Sequence, residues 1–441
     1  MSEKLVSLGL DVGTTSTQMV LSELTIENQA GSFAVPQMEI QERKILYRSP
    51  VYFTPLVRGE LVDGEKIREI VDGEYEKAGI SKEEVDTGAI IITGETSRKE
   101  NARSVLDALA RYAGDFVVAT AGPDLESVLA AKGAGAVEYS ARTGKKVLHM
   151  DIGGGTSNLA LIEDGKITAT TCLNAGGRLV KMDAEGSILY VSPVLKGLFH
   201  KTKGEVANRG EMEELAEKLA QALEMAAGLR EKTELLEKLR TKEAEGQLPE
   251  IPAGTVISFS GGVADCIDSE KRWLEFGDIG PELGRKIRES RLCQGEYMLG
   301  EETIRATVIG AGCHSAQLSG STVFHQNVTF PLKNLPVVES VEELTRLDGP
   351  GVLVIGGETL DFSGIRDLAK KLTSAVRPPV YAAASGDMAK ALGVQIALRL
   401  GERAEIQCID RVCLKAGDYL DVGAPVGPAL PVVVKTLILS R

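Results

Sequence analysis

Val6-Ser7-Leu8-Gly9-Leu10-Asp11-Val12-Gly13-Thr14-Thr15-Ser16 and, far along the chain, Val147-Leu148-His149-Met150-Asp151-Ile152-Gly153-Gly154-Gly155-Thr156-Ser157 follow one pattern. Each is an apolar run ending in Asp, a turn of Gly, Thr and Ser, and an apolar return run, 18–24 after the first and 158–162 after the second. Apolar runs joined by so short a turn read as β-hairpins. The second return ends in a further turn, Glu163-Asp164-Gly165-Lys166. Two such hairpins predict two similar lobes made by duplication.

Between and after the hairpins the chain alternates strand and helix patterns, the texture of an α/β protein. Strands are expected over 88–93, 115–119, 168–173, 188–191 and 255–260, with helices over 97–112, 124–136 and 305–318. The helix over 124–136 is rich in Ala and Gly, whose small side chains permit close approach of the helix to a strand. The charged stretch 211–245 reads as a solvated helical face. From about residue 323 the texture changes. Strands at 352–355, 380–384, 406–414 and 432–439 frame helices at 362–375 and 386–400, which predicts a smaller α/β unit. The expected division is 1–145 with 306–322 returning to it, then 146–305, then 323–441.

The turns suggest chemistry. A tight Gly/Thr turn leaves backbone N–H groups pointing at one spot, an anion-binding concavity. Gly13, Thr14, Thr15 and Ser16 would cup one side of a polyphosphate, and Gly153, Gly154, Gly155 and Thr156 the other. Asp11 and Asp151 stand at the mouths of these turns, and carboxylates beside a polyphosphate make sense with a cation between them. Mg²⁺ takes one or two carboxylates together with phosphate oxygens and retained waters. The same carboxylates would orient an attacking water, since phosphoryl transfer rests on positioning and electrostatics. Ile257-Ser258-Phe259-Ser260-Gly261-Gly262-Val263-Ala264 runs a strand into a Gly-Gly turn, and Gly261, Gly262 and Val263 can lie flat against a purine or ribose. The P-loop pattern and the G-x-G-x-x-G dinucleotide fingerprint are both lacking.

Composition narrows the partners. The 441 residues carry a net charge of −13, which argues against nucleic acid, whose phosphates call for clustered Lys and Arg. The six cysteines form no C-x-x-C pair, so neither a disulfide framework nor a zinc pattern is expected. Met1-Ser2-Glu3-Lys4 leads directly into the first strand, and no apolar run approaches the ~18 residues that suggest a membrane span. A cytoplasmic protein with no membrane partner is the expectation.

The order of first hairpin, connecting helix, second hairpin, nucleoside turn and second connecting helix resembles the superfamily of actin, sugar kinases and heat-shock chaperones. That resemblance implies an actin-like ATPase fold: two duplicated ribonuclease-H-like lobes with ATP and Mg²⁺ in the cleft, here with a C-terminal α/β extension. It also implies roles that the residues alone do not assign. Glu126 falls at the cleft carboxylate or amide of the first connecting helix, acting through water and metal. Gly176 and Gly177 fall at the glycine pair facing the terminal phosphate, and Gly94-Glu95 at the loop after the inner strand.

A closer resemblance covers nearly the whole chain. Ser49-Pro50-Val51-Tyr52-Phe53-Thr54-Pro55, Ala121-Gly122-Pro123-Asp124-Leu125-Glu126-Ser127-Val128, Ala306-Thr307-Val308-Ile309-Gly310-Ala311-Gly312, Leu332-Lys333-Asn334-Leu335-Pro336-Val337 and Ala416-Gly417-Asp418-Tyr419-Leu420-Asp421-Val422-Gly423 are similar to the reactivating factors of ethanolamine ammonia-lyase. The resemblance implies an ATP-dependent chaperone that opens the damaged lyase so that intact adenosylcobalamin replaces the spent cofactor. The cobalamin-ligating D-x-H-x-x-G pattern is lacking, in keeping with a protein substrate. A small-molecule kinase of the same superfamily and an actin-like structural ATPase stay open as alternatives, as do a homodimer and association with an ethanolamine-utilisation microcompartment.

Overall fold

The computed structural model describes residues 3–13, 16–28, 38–57, 61–93, 109, 117–120, 123–241, 248–314, 316–319, 322–357, 360–412, 414–416, 418–425 and 430–436. Thr14, Thr15, the Gly94-Glu95 loop and, apart from Leu109, the helix expected over 97–112 lie outside these residues.

The first hairpin becomes β1 (Glu3–Val12) and β2 (Ser16–Asn28), extended by β3 (Met38–Arg48) into an antiparallel meander. On the other side of β1, β4 (Thr87–Ile92) and β5 (Val117–Thr120) add in parallel, giving the order β3-β2-β1-β4-β5. Parallel strands are reached by crossovers that cover both faces of a sheet, so they read as continuous apolar runs. The Gly-Ala-Ile-Ile-Ile run of β4 is accordingly buried throughout. Helix α1 (Gly64–Ala78) starts on the Asp63 side chain, which accepts from the Lys66 N–H, and ends on Gly79 at φ 66°. Its Ile67, Val71 and Tyr75 pack on Leu8, Leu10 and Ile90 of the sheet.

The second hairpin repeats this plan. β6 (Val147–Ile152), β7 (Ser157–Glu163) and β8 (Lys166–Leu173) form the meander, and β9 (Val256–Ser260) and β10 (Tyr297–Leu299) add in parallel beside β6. The order β8-β7-β6-β9-β10 matches the first sheet strand for strand. The turn at 163–166 is confirmed by Asp164 and Gly165, both at positive φ. Two copies of one strand order, joined by connecting helices, make the actin-like ATPase fold.

Those connecting helices are α2 (Pro123–Gly133) and, from late in the chain, α6. The helix expected over 124–136 divides: Gly135 at φ +76° ends it, and α3 (Ala136–Thr143) begins. The stretch expected as a solvated face contains α4 (Arg209–Ala226), which is half core. Its Met212, Leu215, Leu219 and Leu223 are buried in the second lobe, with Asn208 and Glu211 closing a capping box. The 10-residue α5 (Gly280–Glu289) packs beside it. α6 (Ala306–His314) ends earlier than expected, because residues 316–318 leave as a strand.

α2 and α6 cross in close contact. A Cβ on Gly133 would stand 1.8 Å from the Ala306 carbonyl oxygen, and one on Gly310 would stand 2.0 Å from that of Leu129. α6 lies as tightly on the first sheet, where a Cβ on Gly9 would come within 2.4 Å of the Val308 oxygen. The close approach foreseen for a helix against a strand is therefore made chiefly between two helices.

The C-terminal strands are β11 (Ala316–Leu318), β12 (Phe324–Gln326), β13 (Leu332–Val338), β14 (Val352–Ile355), β15 (Val380–Ala384), β16 (Ile406–Asp410), β17 (Asp418–Val422) and β18 (Pro431–Thr436). They form one mixed sheet, β11-β18-β17-β13-β14-β15-β16-β12, parallel from β13 to β16. α7 (Phe362–Ala375) and α8 (Ala389–Leu400) cover one face, and a second apolar cluster around Leu335, Tyr381, Leu420 and Val432 fills the other. Among the described residues, no helix is long and apolar enough to cross a membrane.

Candidate functional site

The two hairpin turns close alike. The Gly13 N–H donates to the Ser16 carbonyl at 2.8 Å, and the Gly153 N–H to that of Thr156 at 2.9 Å. The first turn is braced by the segment after β3: the Thr54 hydroxyl donates to the Gly13 carbonyl at 2.7 Å and lies 3.1 Å from the Thr17 hydroxyl.

The second turn gathers the other glycines named from sequence. The Gly177 and Arg178 N–H groups donate to the Gly153 and Gly154 carbonyls at 2.9 and 2.6 Å. A Cβ on Gly176 would be 2.4 Å from the Gly154 oxygen, so only glycine fits there. Gly261, at φ +85°, would bring a Cβ within 2.3 Å of the Ile152 oxygen, and the Val263 N–H donates to that same carbonyl at 3.1 Å. Gly262 is roomier, since a Cβ there would meet nothing nearer than the Ile304 side chain at 3.8 Å. Residues 153–156 themselves stay partly exposed, which leaves the turn open to solvent. Gly176 and Gly177 thus act as packing for the second turn, and the Gly177 N–H is engaged with protein.

Asp11 and Asp151 are both 8% exposed. Asp11 stands opposite Gln18 across the first hairpin, and Asp151 opposite Asn158 across the second. Burial pushes the Asp11 carboxyl up to about 7; the Thr93 hydroxyl, donating at 2.8 Å, opposes the rise, and the Asp151 charge adds to it. Burial likewise raises Asp151 to about 6, against hydrogen bonds from Ser260 at 2.5 Å and Thr307 at 3.4 Å. Two poorly solvated carboxyls, one of them raised further by the charge of the other, hold their charge at a cost that a bound cation would remove.

Glu126 is buried on α2, and its carboxylate accepts from the Asn158 amide at 2.9 Å. It therefore reaches the Asp151 strand pair through Asn158. Each amide facing an aspartate carries a buried carbonyl oxygen with no partner among the described residues, Asn158 Oδ1 and Gln18 Oε1. Buried acceptors left open call for water or an ion. Mg²⁺ keeps several waters whose hydrogens need acceptors, so this set of two carboxylates and two open carbonyls fits a hydrated divalent cation.

Sequence reasoning missed Thr93, Ser260, Thr307, Gln18 and Asn158, which hold or face the aspartates. They come from the ends of β4 and β9, the start of α6 and the return strands. The signal for some was present: Ser258 and Ser260 alternate with apolar neighbours in β9, as His149 and Asp151 do in β6.

Similarity to known proteins extends over the full length. The family model described as ethanolamine utilisation protein EutA matches residues 3–351 and 346–440. A Salmonella typhimurium (strain LT2) protein named ethanolamine ammonia-lyase reactivase EutA is 36% identical over 467 aligned residues, covering 99% of both chains. The Escherichia coli K12 protein of the same name is also 36% identical, over 466 residues and 99% of each chain. A solved structure described as a structural study of the Aquifex aeolicus PPX-GPPA enzyme aligns with 70% of this chain and 99% of that one, at 11% identity and a TM-score of 0.42. The chain belongs to the EutA family of ethanolamine utilisation proteins.

Proposed function

We propose that this protein is an ATP-dependent reactivating chaperone of adenosylcobalamin-dependent ethanolamine ammonia-lyase, promoting exchange of damaged cobalamin for intact adenosylcobalamin. The observation that carries the reading is the 36% identity over 99% of the chain with proteins named for that reactivation. The doubled hairpin supports the nucleotide part of it. Bound ATP with Mg²⁺ would supply the free energy of phosphoryl transfer. The chain's own residues would do the rest. Backbone N–H groups of the two turns, other than those of Gly13 and Gly153 that close them, cradle phosphates, Asp11 and Asp151 hold the cation and orient water, and Glu126 acts through Asn158. Gly261, Gly262 and Val263 lie against the nucleoside.

In this reading residues 1–145 with 306–322 and residues 146–305 are the lobes that close on nucleotide, and the α2–α6 crossing is where they turn. Residues 323–441 form the C-terminal domain, whose sheet also takes in the strand at 316–318. The protein works in the cytoplasm beside its lyase, in the setting of the ethanolamine-utilisation microcompartment. Reactivation is then a population shift: moving a closed enzyme from 1:99 to 99:1 open takes about 5.5 kcal/mol of differential binding. Linkage requires the lyase to alter nucleotide affinity by the same factor that nucleotide alters lyase affinity.

The test of the nucleotide site is ATP hydrolysis and binding by wild type and Asp151→Asn. The substitution should abolish hydrolysis far more than binding, because the backbone cradle survives while the cation's carboxylate does not. Undiminished hydrolysis by both Asp151→Asn and Asp11→Asn would remove the site assignment.

A further inference from the structure

The face of β6 and β9 that looks away from the main second-lobe core carries an unusual row. His149, Ser258 and Ser260 have no solvent exposure, yet they sit in strands whose other face is Leu148, Met150, Ile257 and Phe259. The parallel register sets Ser258 beside His149 and Ser260 beside Asp151. His149 Nδ1 lies 3.0 Å from the Ser258 hydroxyl, and its Nε2 lies 2.9 Å from that of Ser260. The Ser260 hydroxyl is 2.5 Å from Asp151 Oδ1.

The proton positions follow from the last contact. A carboxylate can only accept, so Ser260 donates its one hydrogen to Asp151 and must accept from His149 Nε2–H. With its Nε2–H donating to Ser260, the neutral imidazole of His149 has a bare Nδ1, which accepts from the Ser258 hydroxyl. The chain of donors therefore runs one way: Ser258 to His149 to Ser260 to Asp151. The first lobe has only part of this. Asp11 receives a hydroxyl hydrogen bond from Thr93 at 2.8 Å, and the residue two before it is Gly9.

We infer that Ser260, fixed in its donor role by His149, is a positioning residue that keeps Asp151 a one-oxygen ligand and so sets the cleft's preference for Mg²⁺ over Ca²⁺. The inference rests on the proposed nucleotide site. Asp151 Oδ1 is committed to a short hydrogen bond, whereas Oδ2 has only the long 3.4 Å contact from the Thr307 hydroxyl and is the oxygen left for a cation. Mg²⁺ demands near-octahedral geometry and suits a single carboxylate oxygen, whereas the larger Ca²⁺ accepts carboxylates through both oxygens. Groups that orient a metal ligand from behind typically change metal affinity by about 10–100-fold when removed. Here the loss is selective, because a freed Oδ1 can join Oδ2 around Ca²⁺ but not around Mg²⁺.

The test is calorimetric binding of ADP to the full chain in the presence of Mg²⁺ alone or Ca²⁺ alone. It compares wild type, Ser260→Ala, Ser260→Thr and His149→Asn, each checked for an intact thermal transition. Ser260→Ala should weaken the Mg²⁺ complex about 10-fold or more while changing the Ca²⁺ complex less than about 3-fold. Ser260→Thr keeps the hydroxyl and should keep the wild-type ratio. His149→Asn should fall between the two. Equal losses with both cations, or no loss with either, would overturn the inference while leaving the nucleotide site intact. ADP binding by wild type that ignores divalent cations would instead remove the site reading itself, and this inference with it.

Discussion

Replacing Asp11 by Asn should make the nucleotide-free protein more stable, and by an amount that depends on pH. The Asp11 carboxyl is raised from the ordinary 3.8 to about 7, chiefly by burial. Between those values the folded state holds a proton that the unfolded state has lost, so stability falls as pH rises through the window and the loss is complete above about 7. At 1.36 kcal/mol per pK unit, the three-unit difference amounts to about 4 kcal/mol at pH 8 and, by the same linkage, about 2 kcal/mol at pH 5. Asn is neutral at both pH values and keeps an oxygen for the Thr93 hydroxyl, so it escapes this term. A gain of about 4 kcal/mol corresponds to roughly 10 °C in the melting temperature of the lobe that carries it. Thermal unfolding of both proteins in chelator-treated buffer at pH 5 and pH 8 measures the effect. Equal melting temperatures at pH 8, or an Asn advantage that grows toward acid, would show that Asp11 is not strained by burial. The same substitution should impair divalent-dependent nucleotide binding, so stability and function should move in opposite directions.

Because Asp11 and Asp151 must be ionised to hold a cation, the rise in melting temperature on adding Mg²⁺ and nucleotide should be larger at pH 8 than at pH 5; an equal rise at both would contradict the assigned ligands. Gly310→Ala places a methyl against the Leu129 carbonyl and should cost about 1–3 kcal/mol by overpacking the α2–α6 crossing. It should also weaken the effect of nucleotide on lyase affinity, read by titration with and without ATP. Leu219→Ala in α4 should cost about 2–5 kcal/mol, whereas Lys218→Ala on the neighbouring face should stay within about 0.5 kcal/mol, as denaturant unfolding will show.

What was legible in the sequence was what neighbouring residues decide. The two hairpins declared themselves because an apolar run, an Asp and a glycine turn are contiguous, and the register that sets Asp11 against Gln18 and Asp151 against Asn158 follows from those turns. The helix over Phe362–Ala375 was readable to its ends, with Asp361 as its cap. Elsewhere distant partners decided the outcome. Residues 316–318 continue a helical pattern but pair with β18, more than 100 residues away. The charge of the 211–245 stretch hid the row Met212, Leu215, Leu219 and Leu223, which is core because α4 lies on the second sheet's apolar cluster. The Ala-rich run carried no sign of the break at Gly135, which a left-handed φ reveals. At the site, the aspartates and glycines were legible, while Thr93, Ser260 and Thr307 were not. Those three are brought to the aspartates by parallel pairing and by the lobe-joining helix α6, neither of which local pattern encodes.

The most direct measurement is release of cobalamin from lyase inactivated by cobalamin lacking its adenosyl group. Released cofactor is followed by absorbance after gel filtration, and activity is assayed after adenosylcobalamin is added. Wild type with ATP and Mg²⁺ should release the damaged cofactor and, once adenosylcobalamin is supplied, restore turnover, while Asp151→Asn should do neither. Equal release by the two proteins, or release without ATP, would contradict the account of a nucleotide-driven reactivating chaperone.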